Sequence, residues 1–322
     1  MRKILSILTL AACCITPMAW AQQTIKIGID HGPTHSFTQA MERFGKILEQ
    51  KRPGEYKVQV FASAQLGNER VMQEALTLGS LEIVVTGLLN IYEPKFSLLE
   101  APYLFRDRQH ILKAQESEVV QKLAATLPPK GLRLIGFVEN GFRHITNNVR
   151  PINAPSDVKG LKIRTPENMA QVETFRALGA QATPMPFAEL YNAIRMGVVD
   201  GQENPLQNIN DGKLYEAQKY LALTGHIYNS AYVVISEQFF AKQKPEQQKA
   251  IVEAVKEATL WQFDMMRERD AELLETLKQK GMQVTTPDQA AFRAATAPAY
   301  DAFYAKFGPD ARAIIEAIRS LQ

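Results

Sequence analysis

TIKIGIDHGPTHSFTQAMERFGKILEQKRPGEYKVQVFASAQLGNERVMQEALTLGSLEIVVT, residues 24–86, reads as strand, helix, strand, helix, strand. Thr24 to Asp30 alternates apolar and polar residues, as a strand does, and Gly32-Pro33 breaks it. Phe37, Ala40, Met41, Phe44, Ile47 and Leu48 then recur at helical spacing until Pro53-Gly54. Tyr56 to Phe61 is a second strand, with Val58 and Val60 on one face. Gly67-Asn68 introduces a helix carrying Val71, Met72, Ala75 and Leu76, closed by Gly79. Leu81 to Thr86 is apolar enough for a buried strand. This order predicts a mainly parallel sheet with helices on both faces.

The pattern returns downstream. Leu132 to Val138, Arg143 to Thr146, Leu161 to Arg164, Tyr220 to Leu223 and Ala231 to Ile235 have strand character. Glu167 to Leu178 and Phe187 to Met196 are helices closed by Gly179 and Gly197. Two α/β units follow, the first ending near residue 140, with the chain crossing between them as strands. Glu246 to Lys280 holds neither Gly nor Pro, between Pro245 and Gly281. As one helix it spans about 50 Å, enough to brace both units; two helices with an unmarked break are the alternative. Ile251, Ala254, Val255, Ala258, Trp261 and Met265 form its apolar stripe, which Met266, Leu273, Leu274 and Leu277 extend.

The chain has 322 residues, 46% hydrophobic and 22% charged, an ordinary globular composition with room for about two domains. Residues 1–21 read as a signal peptide: Arg2 and Lys3, the apolar run Ile4 to Ile15, and Ala19-Trp20-Ala21 before the cut. The apolar run is too short to span a bilayer. Export to the periplasm is expected. Leu10-Ala11-Ala12-Cys13 offers a minority alternative, a lipid anchor on Cys13. The only cysteines, Cys13 and Cys14, leave with the leader, and with them any disulfide or thiolate chemistry. Beyond the leader, 35 basic residues face 34 acidic ones, too even for a general nucleic-acid binder.

No GxGxxG follows a strand, and no GxxxxGK[ST], GxSxG or HExxH occurs. His31 and His35 are four apart, but Gly32 and Pro33 oppose the helix that would align them on a metal. They read better as a loop pair making polar contacts. No cofactor or metal is expected, and the missing motifs lower the enzyme reading without removing it.

GFRHITNNVRPI (141–152), SDVKGLKIRTPENM (156–169) and ALGAQATPMPFAELYNAIRMGVVDGQENP (177–205) together resemble the solute-binding proteins of tripartite ATP-independent periplasmic (TRAP) transporters, of the dicarboxylate-type family. FASAQLGNERVMQEALTLGSLEI, LLEAPYLFRD and KYLALTGH extend the resemblance along nearly the whole chain after the leader. The resemblance implies an α/β, two-domain periplasmic-binding-protein-like fold of type II character, with a ligand cleft between domains and a long helix bracing both. Residues 22–140 with about 230–265 would form domain I, and 141–229 with about 266–322 domain II. It also implies capture of a small organic acid by a monomer that delivers it to a membrane permease. An extracytoplasmic sensor component and an exported α/β enzyme are the alternatives.

Arg164 ends a short strand, where open α/β sheets bind ligands, and matches the family's carboxylate-holding arginine. Arg143 matches a second family arginine near the ligand's polar end. Asn204 matches a ligand-contacting asparagine, although an N-cap before Pro205 suits it equally. Phe187 matches a pocket aromatic, but its spacing with Leu190, Tyr191 and Ile194 also fits helix core. Topology places Asp30, His31 and His35, after the first strand, and Thr86, after the third, at the cleft. Asp30, His31, Asn204 and Asn229 are polar groups suited to ligand hydroxyls, so a sugar acid such as a uronate fits, with a C4-dicarboxylate nearly as good.

Overall fold

The computed structural model describes residues 22–321. The leader, including the Cys13 alternative, lies outside the described residues. The strands are β1 (Gln23–Gly28), β2 (Tyr56–Phe61), β3 (Ile83–Thr86), β4 (Leu132–Phe142), β5 (His144–Asn147), β6 (Lys162–Thr165), β7 (Gln181–Pro184), β8 (Gly201–Asn204), β9 (Tyr220–Ala222), β10 (Tyr228–Ser236) and β11 (Gln283–Thr285). The α-helices are α1 (Ser36–Lys51), α2 (Glu69–Thr77), α3 (Arg108–Glu116), α4 (Glu118–Ala124), α5 (Met169–Ala177), α6 (Phe187–Arg195), α7 (Leu206–Asp211), α8 (Glu237–Ala241), α9 (Pro245–Gln279), α10 (Gln289–Thr296), α11 (Ala299–Phe307) and α12 (Pro309–Arg319).

Two sheets organise two bodies, in the orders β2-β1-β3-β10-β4 and β11-β9-β5-β8-β6-β7. β1 pairs in parallel with β2 and β3, as the opening stretch predicts. The first sheet is nevertheless mixed rather than mainly parallel, because β10 returns antiparallel between β3 and β4. Its partners lie about 150 and 100 residues upstream, a pairing that strand periodicity does not encode. The chain crosses between sheets three times, from β4 to β5, from β9 to β10 and, through α9, from β10 to β11.

α9 is a single helix of 35 residues, as the absence of internal Gly and Pro allows. Its Ile251, Ala254, Val255 and Ala258 pack with Phe37, Met41 and Phe44 of α1 in the first body. Leu273 and Leu277 pack with Leu190 and Ile194 in the second. Between them the buried row passes through Gln262, Phe263 and the expected Met266, while the expected Trp261 and Met265 are only half-buried. Gln262 brackets Glu139, accepting from its N–H and donating to its carbonyl, both at 2.8 Å, and also donates to Ser36 Oγ at 3.0 Å. Trp261 turns outward beneath Arg43, 5.0 Å away.

The C-terminal helices divide between the bodies. Phe292 of α10 joins the core containing Ile163 and Phe175. Tyr300, Phe303, Ile315 and Ile318 of α11 and α12 join the core of the first sheet. The expected grouping of 266–322 with domain II therefore meets a shared segment, whose burial depends on neighbours from both bodies.

Candidate functional site

The bodies meet at a narrow cleft with room for only about 40 Å³ between its walls. Among the sequence candidates, Asp30, His31, Arg143, Arg164, Phe187, Asn204 and Asn229 line it.

Arg164 reaches the cleft through strand alternation. Its neighbour Ile163 points into the second core, so Arg164 points the other way. It is only 2% exposed. Its Nε and Nη2 donate to the Met185 carbonyl at 2.9 and 2.7 Å. Among the described residues, no carboxylate lies within 4.0 Å of it. Burial and the nearby Arg143 charge pull its pKa down to about 10. The side-on edge of the guanidinium is thus anchored to the Met185 backbone.

Arg143 stands at the crossing from β4 to β5 and is differently placed. Its Nε lies 2.5 Å from Glu203 Oε2, and its Nη2 donates to Glu203 Oε1 at 2.8 Å. Its charge is already balanced inside the protein. Glu203 also lies 3.2 Å from His226 Nε2. Burial opposes the Glu203 charge, but Arg143 and His226 hold its carboxyl below the usual range. Asn204 Oδ1 accepts from Asn208 Nδ2 at 3.0 Å and from Arg143 Nη2 at 3.2 Å. Asn204 does not cap α7, whose N-cap is Pro205.

The wall from the first body is rich in acceptors. Asp30 and His31 follow β1, and His31 Nδ1 lies 2.5 Å from Asp30 Oδ1. That is ion-pair distance, but the angles make no hydrogen bond, and both atoms and His31 Nε2 are buried without hydrogen-bond partners. Burial opposes the His31 charge; Asp30 outweighs it and the pKa rises. Phe187 from the second body stacks on His31, with centroids 4.7 Å apart. Asn229, at the start of β10, accepts from Asn140 Nδ2 at 2.5 Å.

His35 and Thr86 stand behind this wall. His35 caps α1, accepting from Phe37 N at 3.2 Å, and its Nε2 meets Asn208 Oδ1 at 2.9 Å. Burial and His31 hold its pKa well below normal. Thr86 Oγ1 donates to Glu69 Oε1 at 2.8 Å, and Gly87 N donates to the same oxygen at 2.6 Å.

Glu69, Glu100, Asn140 and Gln171 also line the cleft and escaped the sequence reading. Glu69 opens α2 behind the N-cap Asn68, a place where acidic residues are ordinary. Burial and Asp30 raise its carboxyl to about 7. Burial likewise raises Glu100 to about 8, against a hydrogen bond from Gln171 Nε2. Asn140 is aimed by a β-bulge. Asn229 and Ser230 pair with Gly141 and Glu139, so Asn140 is the extra residue. Gly141 takes φ 118° beside it, which favours glycine. Asn140 Oδ1 and Gln171 Oε1 are buried without hydrogen-bond partners.

Two bodies meeting at a cleft walled by unpaired polar groups form the architecture of a periplasmic binding protein. The family model described as "Bacterial extracellular solute-binding protein, family 7" matches residues 27–307, and the chain belongs to that family. Its members include TRAP periplasmic solute-binding proteins, which bind substrates for transporters and are not enzymes. The chain is 33% identical over 305 residues to the 2,3-diketo-L-gulonate-binding periplasmic protein of Escherichia coli, covering 94% of this chain and 93% of that one. It is 34% identical to the sialic acid-binding periplasmic protein of Vibrio cholerae, covering 94% of both. A Polaromonas TRAP solute-binding protein bound to D-erythronate superposes with TM-score 0.89 at 36% identity, covering 94% of this chain and 99% of that one. A Roseobacter denitrificans relative with bound L-galactonate gives 0.86 at 32% identity, covering 93% and 100%.

Proposed function

We propose that this protein captures a polyhydroxy monocarboxylate, an aldonate or uronate, in the periplasm and delivers it as a monomer to a TRAP permease. The carrying observation is the asymmetry of the cleft. Arg164 presents a buried positive charge that no carboxylate in the described residues balances, while Asp30 Oδ1, Asn140 Oδ1 and Gln171 Oε1 present buried acceptors without hydrogen-bond partners. A carboxylate completes the first, and hydroxyl donors complete the second. A second carboxylate on the ligand would face the Asp30 carboxylate and the acceptor oxygens of Asn140 and Gln171, which offer it no donor. This favours sugar acids over C4-dicarboxylates. The bound sugar acids of the Polaromonas and Roseobacter relatives support the same choice. Closure follows when the ligand touches both walls only in the closed state.

The test is a thermal-shift panel on refolded protein, with aldonates, uronates, succinate, malate and neutral sugars. Ligand at 100 times its Kd adds about 2.7 kcal/mol. Stabilisation by one sugar-acid class and not by its neutral sugar is expected. A shift by succinate or malate alone overturns the acceptor-wall argument, and a shift by neutral sugars alone overturns the role of Arg164.

A further inference from the structure

A second recess shares no lining residue with the ligand cleft. Tyr103 and Arg106, Arg293 of α10, Tyr300 and Tyr304 of α11, and Arg319 of α12 bound about 500 Å³. No Asp or Glu lines it. Arg319 lies over the Tyr300 ring at 4.6 Å, and Arg293 over Tyr103 at 5.3 Å. The phenols are fixed from behind: Tyr300 donates to the Pro102 carbonyl at 2.7 Å, and Tyr103 to that of Thr224 at 2.9 Å. Stacking on a held ring orients a guanidinium and leaves its edge of donors outward. Arg106 donates to the carbonyls of Arg319 and Leu321, at 3.1 and 2.5 Å, which are neutral acceptors.

Elsewhere Arg52, Arg70, Arg108, Arg133 and Arg176 each meet a carboxylate within 3.1 Å. Arg106, Arg293 and Arg319 have none within 4.0 Å among the described residues. Arg43, Arg150, Arg164, Arg195 and Arg269 likewise meet no carboxylate within 4.0 Å among the described residues; what sets these three charges apart is that they share one recess. The recess also spans both bodies: Phe292, beside Arg293, lies in the second core, and Ile318, beside Arg319, in the first.

We propose that this recess docks an acidic segment of a protein partner, its Asp or Glu side chains entering the arginine forks. The recess is too large for a single small anion, and its cations come from three separate elements. Naming the membrane permease as that partner rests on the transport function proposed above.

The probe is fluorescein-labelled octaglutamate, followed by anisotropy in low and moderate salt. The wild type is expected to bind it, more weakly as salt rises. Arg293→Glu/Arg319→Glu should lose at least about tenfold by the affinity arithmetic of a broken charged pair. Arg293→Gln/Arg319→Gln should lose less and keeps the test open if the reversal fails to fold. Lys46→Glu/Lys242→Glu, the same charge change on exposed residues outside the recess, should stay within about twofold. Equal loss in the lysine control, or no loss in either arginine pair, overturns the site. Octalysine binding as tightly as octaglutamate overturns the chemistry. In proteoliposomes carrying the permease, the arginine variants should keep the sugar-acid thermal shift and lose uptake. Uptake that persists after octaglutamate binding is lost overturns the permease as partner. A wild type that binds no acid in the panel above overturns the transport reading and leaves the peptide result standing.

Discussion

Replacing Arg164 by Met should separate binding from stability. The guanidinium is buried, and its pKa falls from 12.5 to about 10, first through burial and then through Arg143. A cation with a lowered folded pKa destabilises the fold at every pH where it is charged, here throughout the range below about 10. The drop corresponds to about 3 kcal/mol. Methionine removes that cost and fills much of the same space. Against it, the Met185 carbonyl loses both donors, which costs about 1–3 kcal/mol. The balance lies between about zero and 2 kcal/mol in favour of the variant, or a rise of up to about 5 °C in Tm. Ligand binding should weaken by about 2–5 kcal/mol, roughly thirtyfold to several thousandfold, since one partner of a buried charged contact is gone. Differential scanning fluorimetry with and without the sugar acid reads both effects. A ligand-free variant that unfolds well below the wild type yet keeps the full ligand shift would refute the reasoning on both counts.

Three other outcomes are expected. Glu203→Gln leaves Arg143 buried without its counter-charge and should cost about 3–5 kcal/mol in urea unfolding at pH 7. Because the Glu203 carboxyl is held below its unfolded value of 4.5, its contribution is present above that pH and lost as pH falls; the difference from the variant should therefore narrow at pH 3, and a constant gap counts against the pairing. Glu100 has a raised carboxyl, about 8, so the folded ligand-free protein holds a proton that the unfolded chain releases near 4.5. Stability should fall by about 1–3 kcal/mol between pH 6 and pH 8.5, and Glu100→Gln should remove part of that slope in urea titrations at both pH values. Gly201→Ala would set a Cβ 2.1 Å from the Thr146 carbonyl, inside the β5–β8 pairing. Loss of soluble folded protein, or a Tm drop of more than about 10 °C, is expected; a near-native Tm would show that this strand pair yields.

How much was legible in the sequence depends on how far apart the deciding residues lie. Local periodicity carried β1, α1, β2, α2 and β3, and the missing breakers carried the whole of α9. Those features rest on interactions within a few residues, so they are written along the chain. The crossing position of Arg143 and the strand position of Arg164 were readable for the same reason, together with the family strings around them. Their different charge states were not. Arg143 is balanced by Glu203, which is 60 residues away in sequence and becomes its neighbour only when the second body folds. Arg164 has no such partner among the described residues. The acceptor wall was hidden likewise: Glu69 looked like an ordinary first-turn acid, Glu100 ended an apolar segment, and Asn140 needed a bulge set by β10, about 90 residues on. Sequence alone determined the class of fold and the arginines that line the cleft. Tertiary structure decided which charges remain unpaired, because burial and pairing are properties of neighbours in space.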